Sequence, residues 1–126
     1  MKENNQHNIL KTDNLTVGYQ SKKAQTIVAS NINIALNKGE LIGLVGGNGI
    51  GKSTLLKTLT KVISPLSGQV LINNQSLDNY SNLELAKTLS LVLTEPIAAK
   101  NLTVFELVAL GRQPYTNWVG NLSDTD

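Results

Sequence analysis

Residues 46–54 combine glycines, a lysine and two hydroxyl side chains in the spacing G-x-x-x-x-G-K-[ST]. Glycine lets a backbone turn with its N–H groups pointing inward. These groups, with the positive end of a following helix, bind phosphate oxygens. Lys52 is expected to reach the outer phosphates, and Ser53 to offer its hydroxyl to a magnesium ion. The spacing therefore predicts a site for a nucleoside triphosphate and Mg²⁺.

The segments on either side of this loop are the ones that such a loop needs. An unbroken apolar run at 41–45 predicts a buried central strand, because a strand covered on both faces shows no polar alternation. The residues after the loop predict a helix, because apolar side chains recur there at helical spacing. They are Leu55, Leu56, Leu59 and Val62.

The remaining strands are predicted from apolar runs and alternation. They lie at 9–19, 32–36, 69–73 and 89–93, with a turn near Asp13 and Asn14 inside the first. The first two of these strands are expected to be antiparallel. Together they predict a sheet that precedes and flanks the loop.

Two helices are predicted from capping boxes, in which a hydroxyl residue and a glutamate three positions later bond reciprocally to backbone N–H groups. One box begins at Ser81 and its helix is expected to continue to about Thr88. The other begins at Thr103, and Gly111 is expected to end its helix.

Composition narrows the class of protein. The chain has 126 residues, of which 40% are hydrophobic, which suits one modest domain. A net charge of +2 is too small for a nucleic-acid footprint, and the absence of cysteine excludes disulfides. No apolar run of eighteen residues or secretory leader is present, so a cytosolic protein is expected. Residues 1–8, which include His7, are expected to be a flexible polar tail.

Residues 46–56 resemble the Walker A motif of ATP-binding-cassette (ABC) transporter ATPases more closely than the general spacing requires. They read Gly46-x-Asn48-Gly49-x-Gly51-Lys52-Ser53-Thr54-Leu55-Leu56. Residues 15–19 also resemble the aromatic loop of that family. The resemblance implies that Tyr19 stacks on adenine, since a flat π face binds a base without hydrogen-bond selection. It also implies that residues 46–54 bind the phosphates of ATP.

The segment 102–115 is similar to the ATPases of importers for iron-siderophore, haem and cobalamin cargo. The resemblance implies that this segment is a platform for a coupling helix of a membrane permease. The residues alone equally allow a capped amphipathic helix ended by Gly111, with Arg112 and Tyr115 on the surface.

Glu95 departs from the family pattern, which usually has glutamine at the end of the strand after the second helix. Its carboxylate could ligate Mg²⁺ in addition to Ser53, because magnesium prefers oxygen ligands. A surface carboxylate at a turn fixed by Pro96 is equally compatible with the sequence. Both interpretations stay open at this point.

The resemblance implies an α/β fold, with a P-loop NTPase (RecA-like) core preceded by an N-terminal antiparallel β subdomain. It covers residues 9–126 and only the first part of the family's domain, truncated before the helical subdomain is complete. The signature motif, the Walker B carboxylates and the switch histidine are not found. Phosphoryl transfer to water needs such groups, so the chain alone is expected to bind ATP but to hydrolyse it poorly.

In a complete family member, two ATPase subunits form a dimer on permease subunits at the cytoplasmic face of the membrane. The resemblance therefore implies an ATP-driven importer for iron-siderophore, haem or cobalamin. The alternative is a naturally short, non-catalytic nucleotide-binding or assembly module. A cassette ATPase of translation or repair is a third interpretation, which the importer-like segment 102–115 disfavours.

Overall fold

The computed structural model describes residues 8–92, residue 94 and residues 101–116. The chain forms two compact units, Met1–Tyr80 and Ser81–Asp126. β1 begins at Asn8, inside the segment that the sequence assigns to a flexible tail. None of the helices in the described part of the chain is long and apolar enough to cross a membrane.

The first unit is built on an antiparallel sheet around one long strand, β1. The strands are β1 (Asn8–Gln20), β2 (Gln25–Ile32), β3 (Ala35–Asn37), β4 (Ser67–Ile72) and β5 (Gln75–Ser76). The sheet order is β2-β1-β4-β5, and β3 also pairs with β1. The helix α1 (Lys52–Leu59) lies between β3 and β4 in the chain, and a short 3₁₀ turn at Leu77–Asn79 follows β5.

The predicted turn at Asp13–Asn14 is wrong, because β1 continues through these residues as a bulge. Asn14 has a φ of 46°, and the pairing with β4 slips by one residue between Asp13 and Thr16. Before the bulge the buried positions include Leu10, and after it they include Leu15, which is fully buried. A strand has a side-chain period of two, so one extra residue exchanges its faces. The bulge thus keeps both halves of β1 in the core.

The predicted strand 32–36 is divided, and the buried Thr12 of β1 bridges the gap. The Thr12 hydroxyl donates to the carbonyl oxygen of Ile32 at 2.9 Å and accepts from the Ile34 N–H at 3.0 Å. The Thr12 N–H also donates to the Ile34 carbonyl oxygen at 2.9 Å. These bonds satisfy backbone groups that would otherwise lack a ladder partner, so β2 ends at Ile32 and β3 begins at Ala35.

The predicted central strand 41–45 is not formed. These residues belong to no strand, Leu41 is 100% exposed and Val45 is 90% exposed. A buried parallel strand obtains its hydrogen bonds and its apolar cover from neighbours on both sides. All strand pairs of the described residues are antiparallel, and none includes this segment.

The apolar side chains of this region still face one another. An apolar cavity of ≈ 330 Å³ is lined by Ile34 and by residues of β3, α1 and the run 41–45. The lining residues are Ile34, Ala35, Leu36, Ile42, Leu44, Leu55, Leu56 and Leu59. The helical periodicity after the loop therefore predicted Leu55, Leu56 and Leu59 on this face correctly. Val62, the fourth predicted residue, lies beyond the end of α1 and is 60% exposed.

The C-terminal end of α1 turns sharply at Lys61, whose φ is 62°. The Val62 N–H donates to the Lys57 carbonyl oxygen at 2.9 Å, which closes the helix end. The Lys61 ammonium donates to the Tyr80 carbonyl oxygen at 2.8 Å. This hydrogen bond joins the C-terminal end of α1 to Tyr80, the last residue of the first unit.

The second unit contains α2 (Asn82–Thr88), α3 (Val104–Leu110) and a 3₁₀ turn at Gln113–Tyr115. Both predicted capping boxes are present at the starts of the two α-helices. Gly111 ends α3 as predicted, although in a right-handed conformation with a φ of −64°. The predicted strand 89–93 is not formed at 89–92, and Leu93 lies outside the described residues.

The capping boxes lower the pKa of their glutamates. The Ser81 hydroxyl and then its backbone N–H bond to Glu84, and both lower the pKa of this carboxyl group. At Glu106 the backbone of Thr103 lowers the pKa most, and its hydroxyl adds to the effect. A charged glutamate is the better hydrogen-bond acceptor, so both caps are strongest when the carboxylates are ionised.

Candidate nucleotide site

The N-terminal end of α1 carries the loop that the sequence predicts to bind phosphate. Gly51 is the N-cap residue, and no side chain caps the helix. No acidic residue lies in the first turn. The first N–H groups of a helix have no partner within it and carry a partial positive charge. This helix end is therefore suited to an anion rather than to a neighbouring side chain.

Two glycines give the loop its shape. Gly49 and Gly51 have φ values of 79° and 109°, which L side chains rarely adopt. A Cβ atom on Gly51 would also lie 2.4 Å from Cγ1 of Val28, whereas one on Gly49 would have nothing within 4 Å. Gly51 is thus required for conformation and for space, and Gly49 for conformation alone.

The side chain of Lys52 folds back over the loop. Its ammonium group donates to the carbonyl oxygens of Gly46 and Gly47, both at 2.7 Å. Both acceptors are neutral, so the bonds orient the ammonium group without cancelling its charge. A positive charge held above a helix N-terminus adds to the attraction for phosphate.

Tyr19 reaches the same site from the end of β1. Its hydroxyl lies 3.0 Å from the hydroxyl of Thr54, and its side chain is 50% exposed. Thr54 is buried on α1, whereas the neighbouring Ser53 is exposed. The structure therefore places an accessible aromatic ring beside the loop, 35 residues away in the sequence.

An open cavity of ≈ 410 Å³ joins these groups. Its lining residues are Tyr19, Val28, Asn48, Gly49, Gly51, Lys52, Ser53 and Thr54. Gly46, the remaining predicted residue of the loop, takes part through its bond to Lys52. The structure thus brings together the predicted residues of the aromatic position and of the loop.

Val28 was missed by the sequence reasoning. It belongs to no motif, and it lies in β2, which pairs with β1 through Tyr19 and Thr26. The pairing of β2 with β1 places Val28 beside the loop, where it faces Gly51. Position in a sheet, which depends on register, is the signal that a local pattern lacks.

Of the two predicted magnesium ligands, only Ser53 belongs to the described residues. Glu95, the other predicted ligand, lies outside the described residues. Within those residues no group of three or more histidine, cysteine, aspartate or glutamate side chains is placed to hold a metal ion. An exposed hydroxyl beside a phosphate site fits Mg²⁺, which commonly combines one protein oxygen with phosphate oxygens and water.

Comparison with known proteins gives consistent findings. The family model for ABC transporters matches residues 29–125. The achromobactin transport ATP-binding protein of Dickeya dadantii is 42% identical over 112 residues, which are 89% of this chain and 40% of that protein. The iron(3+)-hydroxamate import ATP-binding protein of Bacillus subtilis is 35% identical over 119 residues, 94% of this chain and 43% of that protein.

A solved ATP-binding subunit of an ABC transporter has a similar fold. It superposes with a TM-score of 0.71 at 25% identity, over 93% of this chain and 45% of that one. The chain thus spans less than half the length of these relatives. This likeness confirms the predicted fold class, to which the described residues contribute the antiparallel sheet and the first helices. The chain belongs to the ABC transporter ATP-binding family.

Proposed function

We propose that this chain is the nucleotide-binding portion of the ATPase subunit of an importer for iron chelates. The observation that carries the proposal is the ≈ 410 Å³ cavity in which Tyr19 meets the glycine loop and the start of α1. An aromatic ring suits a base, and a positive helix end suits phosphates. A nucleoside triphosphate has both parts, joined at a distance that one open cavity can span.

Each lining group has a role in this proposal. Gly46, Asn48, Gly49 and Gly51 form the backbone nest for the phosphates. Lys52 would exchange its two carbonyl acceptors for phosphate oxygens, which are charged and therefore stronger acceptors. Ser53 would hold Mg²⁺, which neutralises phosphate charge, and Tyr19 would stack on adenine.

The nature of the cargo rests on the relatives. Their names refer to achromobactin transport and to iron(3+)-hydroxamate import. An iron chelate is therefore proposed ahead of haem and cobalamin, which the sequence resemblance also includes. Residues 102–115 would contact the permease, and their apolar side chains support this role, since Val104 and Phe105 are 80% and 75% exposed.

The complete subunit would work as a dimer on permease subunits at the cytoplasmic face of the membrane. Hydrolysis needs an oriented water and further charged groups around the γ-phosphate. The described residues offer a phosphate nest, a lysine and a hydroxyl, so ATP binding is the step assigned to this part of the chain.

A thermal-shift experiment tests nucleotide binding. Mg-ATP at a hundred times its Kd adds about 2.7 kcal/mol to the stability of the native state. We expect this shift in the parent chain, its loss in Lys52→Ala, and its retention in Lys38→Ala, a matched exposed lysine outside the cavity. An equal shift in Lys52→Ala would refute the loop assignment.

An uptake experiment tests the cargo and the alternative function. Cells that lack the gene are compared for uptake of an iron-loaded hydroxamate, haem and cobalamin, and are complemented with the parent gene or Lys52→Ala. Loss of iron-hydroxamate uptake alone, restored only by the parent gene, is expected. Full complementation by Lys52→Ala would favour the non-catalytic assembly module.

A further inference from the structure

We infer that Asn48 is a modification site, at which spontaneous deamidation produces an isoaspartate that disables the phosphate loop. The consequence of the reaction rests on the proposed nucleotide site, whereas its chemistry does not. The inference starts from Asn48-Gly49, which is the only Asn-Gly pair in the sequence. Asparagine is a thermolabile residue, because its side-chain amide is lost without the help of an enzyme.

The reaction begins when the backbone nitrogen of Gly49 attacks Cγ of Asn48. A bond forms between these two atoms, the bond from Cγ to the amide nitrogen breaks, and ammonia leaves with the proton of the backbone N–H. The product is a succinimide ring, which water then opens. Water that adds at Cγ gives aspartate. Water that adds at the main-chain carbonyl carbon gives isoaspartate, in which the main chain continues through Cβ and Cγ.

The structure leaves this attack unobstructed. Asn48 and Gly49 are both exposed, and they form a turn beside the ≈ 410 Å³ cavity. Gly49 has no side chain to shield its nitrogen, and even an added Cβ atom would meet nothing within 4 Å. The succinimide ring therefore has room to form in the folded loop.

The charges around the loop also favour the reaction. The attacking form of the Gly49 nitrogen is deprotonated and negative, so positive charge nearby stabilises it. The N-terminal end of α1 supplies such charge directly after the loop. The ammonium group of Lys52 adds to it, because the carbonyl oxygens of Gly46 and Gly47 hold this group over the same loop. The features that attract phosphate thus promote the attack while the site is empty.

The two products differ in what they do to the loop. Aspartate at position 48 keeps the length of the main chain and adds only an exposed charge. Isoaspartate inserts a methylene group into the main chain, and a phosphate nest depends on the direction of consecutive N–H groups. Isoaspartate should therefore abolish phosphate binding. Bound phosphates, in turn, would accept the Gly49 N–H and prevent the attack.

The first test follows deamidation by tandem mass spectrometry while the 126-residue chain is incubated at mildly alkaline pH, with and without Mg-ATP. Without nucleotide, Asn48 should convert faster than Asn74, an exposed asparagine that precedes glutamine. It should also convert faster than Asn37, whose amide donates to Glu40 at 2.9 Å. Mg-ATP at a hundred times its Kd leaves about 1% of sites empty, so it should slow conversion at Asn48 up to about a hundredfold.

The second test measures what the modification does to binding. The fraction of chains that bind Mg-ATP should fall as isoaspartate accumulates, which is measured by methyl transfer from S-adenosylmethionine with an isoaspartyl methyltransferase. Prolonged treatment with this enzyme converts isoaspartate largely to aspartate and should restore binding. Asn48→Asp carries the charge on a main chain of normal length and should weaken Mg-ATP only about fivefold. Asn48→Gln should keep its own starting affinity during the incubation, because glutamine cyclises far more slowly.

Conversion of Asn48 no faster than that of Asn74 would overturn the inference, as would full binding of Mg-ATP by chains that contain isoaspartate. Equal conversion with and without Mg-ATP, in a chain that binds Mg-ATP, would also overturn it. A fresh parent chain that failed to bind Mg-ATP would instead refute the proposed nucleotide site. Conversion at Asn48 is measured without nucleotide, so the two failures are distinguishable.

Discussion

Replacing Gly51 with alanine should destabilise the chain through two separable effects. The backbone effect arises because φ at this position is 109°, and a residue forced into a rare conformation costs about 1–3 kcal/mol. The steric effect arises because the new Cβ atom would lie 2.4 Å from Cγ1 of Val28. Overpacking of this kind costs roughly 1–3 kcal/mol, so the total is about 2–6 kcal/mol.

Gly49 supplies the matched control. Its φ of 79° is also positive, but a Cβ atom there would meet nothing within 4 Å. Gly49→Ala should therefore show only the backbone effect, about 1–2 kcal/mol. The comparison removes the contribution that any alanine in this loop would make.

A double-mutant cycle with Val28→Ala isolates the steric effect. Truncation of Val28 removes Cγ1, the atom that the new Cβ atom would overlap. Gly51→Ala should therefore reduce the free energy of unfolding by about 1–3 kcal/mol less in the Val28→Ala background. The free energy of unfolding is measured for all four chains by urea titration with far-ultraviolet circular dichroism. A coupling energy below about 0.5 kcal/mol would refute the argument that Val28 excludes a side chain at Gly51.

Three further predictions concern positions outside the cavity. Thr12→Val keeps the shape of the side chain but leaves the Ile34 N–H without its partner, so unfolding should require about 1–3 kcal/mol less by urea titration. Lys61→Gly should be about 1 kcal/mol more stable than Lys61→Ala by the same assay, because only glycine accepts a φ of 62° without strain. The pKa of Glu84 is lowered in the folded chain, so its contribution is complete above the usual value of 4.5 and is lost as the pH falls through the folded value. An NMR titration of the Glu84 carboxyl group should give a higher midpoint in Ser81→Ala than in the parent chain, because the hydrogen bond from the Ser81 hydroxyl is lost. An unchanged midpoint would contradict the capping assignment.

Short-range patterns predicted the loop and the helix starts well. The spacing of Gly46, Gly51 and Lys52 depends on local backbone chemistry, as do the capping boxes at Ser81 and Thr103. The loop and each capping box depend only on residues a few positions apart in the sequence. For the same reason the sequence predicted the start of α1 without knowledge of the sheet.

Features that depend on partners in the sheet were predicted poorly. Asn14 was assigned to a turn but is a bulge, and the gap near Ile34 exists because Thr12 supplies the missing hydrogen bonds. The run 41–45 is apolar enough for a central strand, yet a strand forms only where neighbours pair with it. Such outcomes depend on contacts between distant segments, which periodicity does not contain.

The site shows the same division. The glycine loop was predicted from its spacing, and Tyr19 was predicted from the resemblance. The bond from Tyr19 to Thr54 and the contact of Val28 with the loop required the register of β1 and β2. Sequence identified the groups, and the sheet determined which of them meet.

The position of β1 also sets an order for folding during synthesis. β1 pairs with β3 and with β4, so completing the sheet closes residues 38–66, which include α1, into a loop. The entropy of that closure is about 3 kcal/mol by chain-length scaling. A nascent chain that stalls on the ribosome before Ile72 therefore contains the whole glycine motif but lacks the complete sheet. In the folded chain the motif lies beside this sheet. Pairing of β4 with β1 can begin only after β4 has left the exit tunnel, when the glycine motif is already outside it.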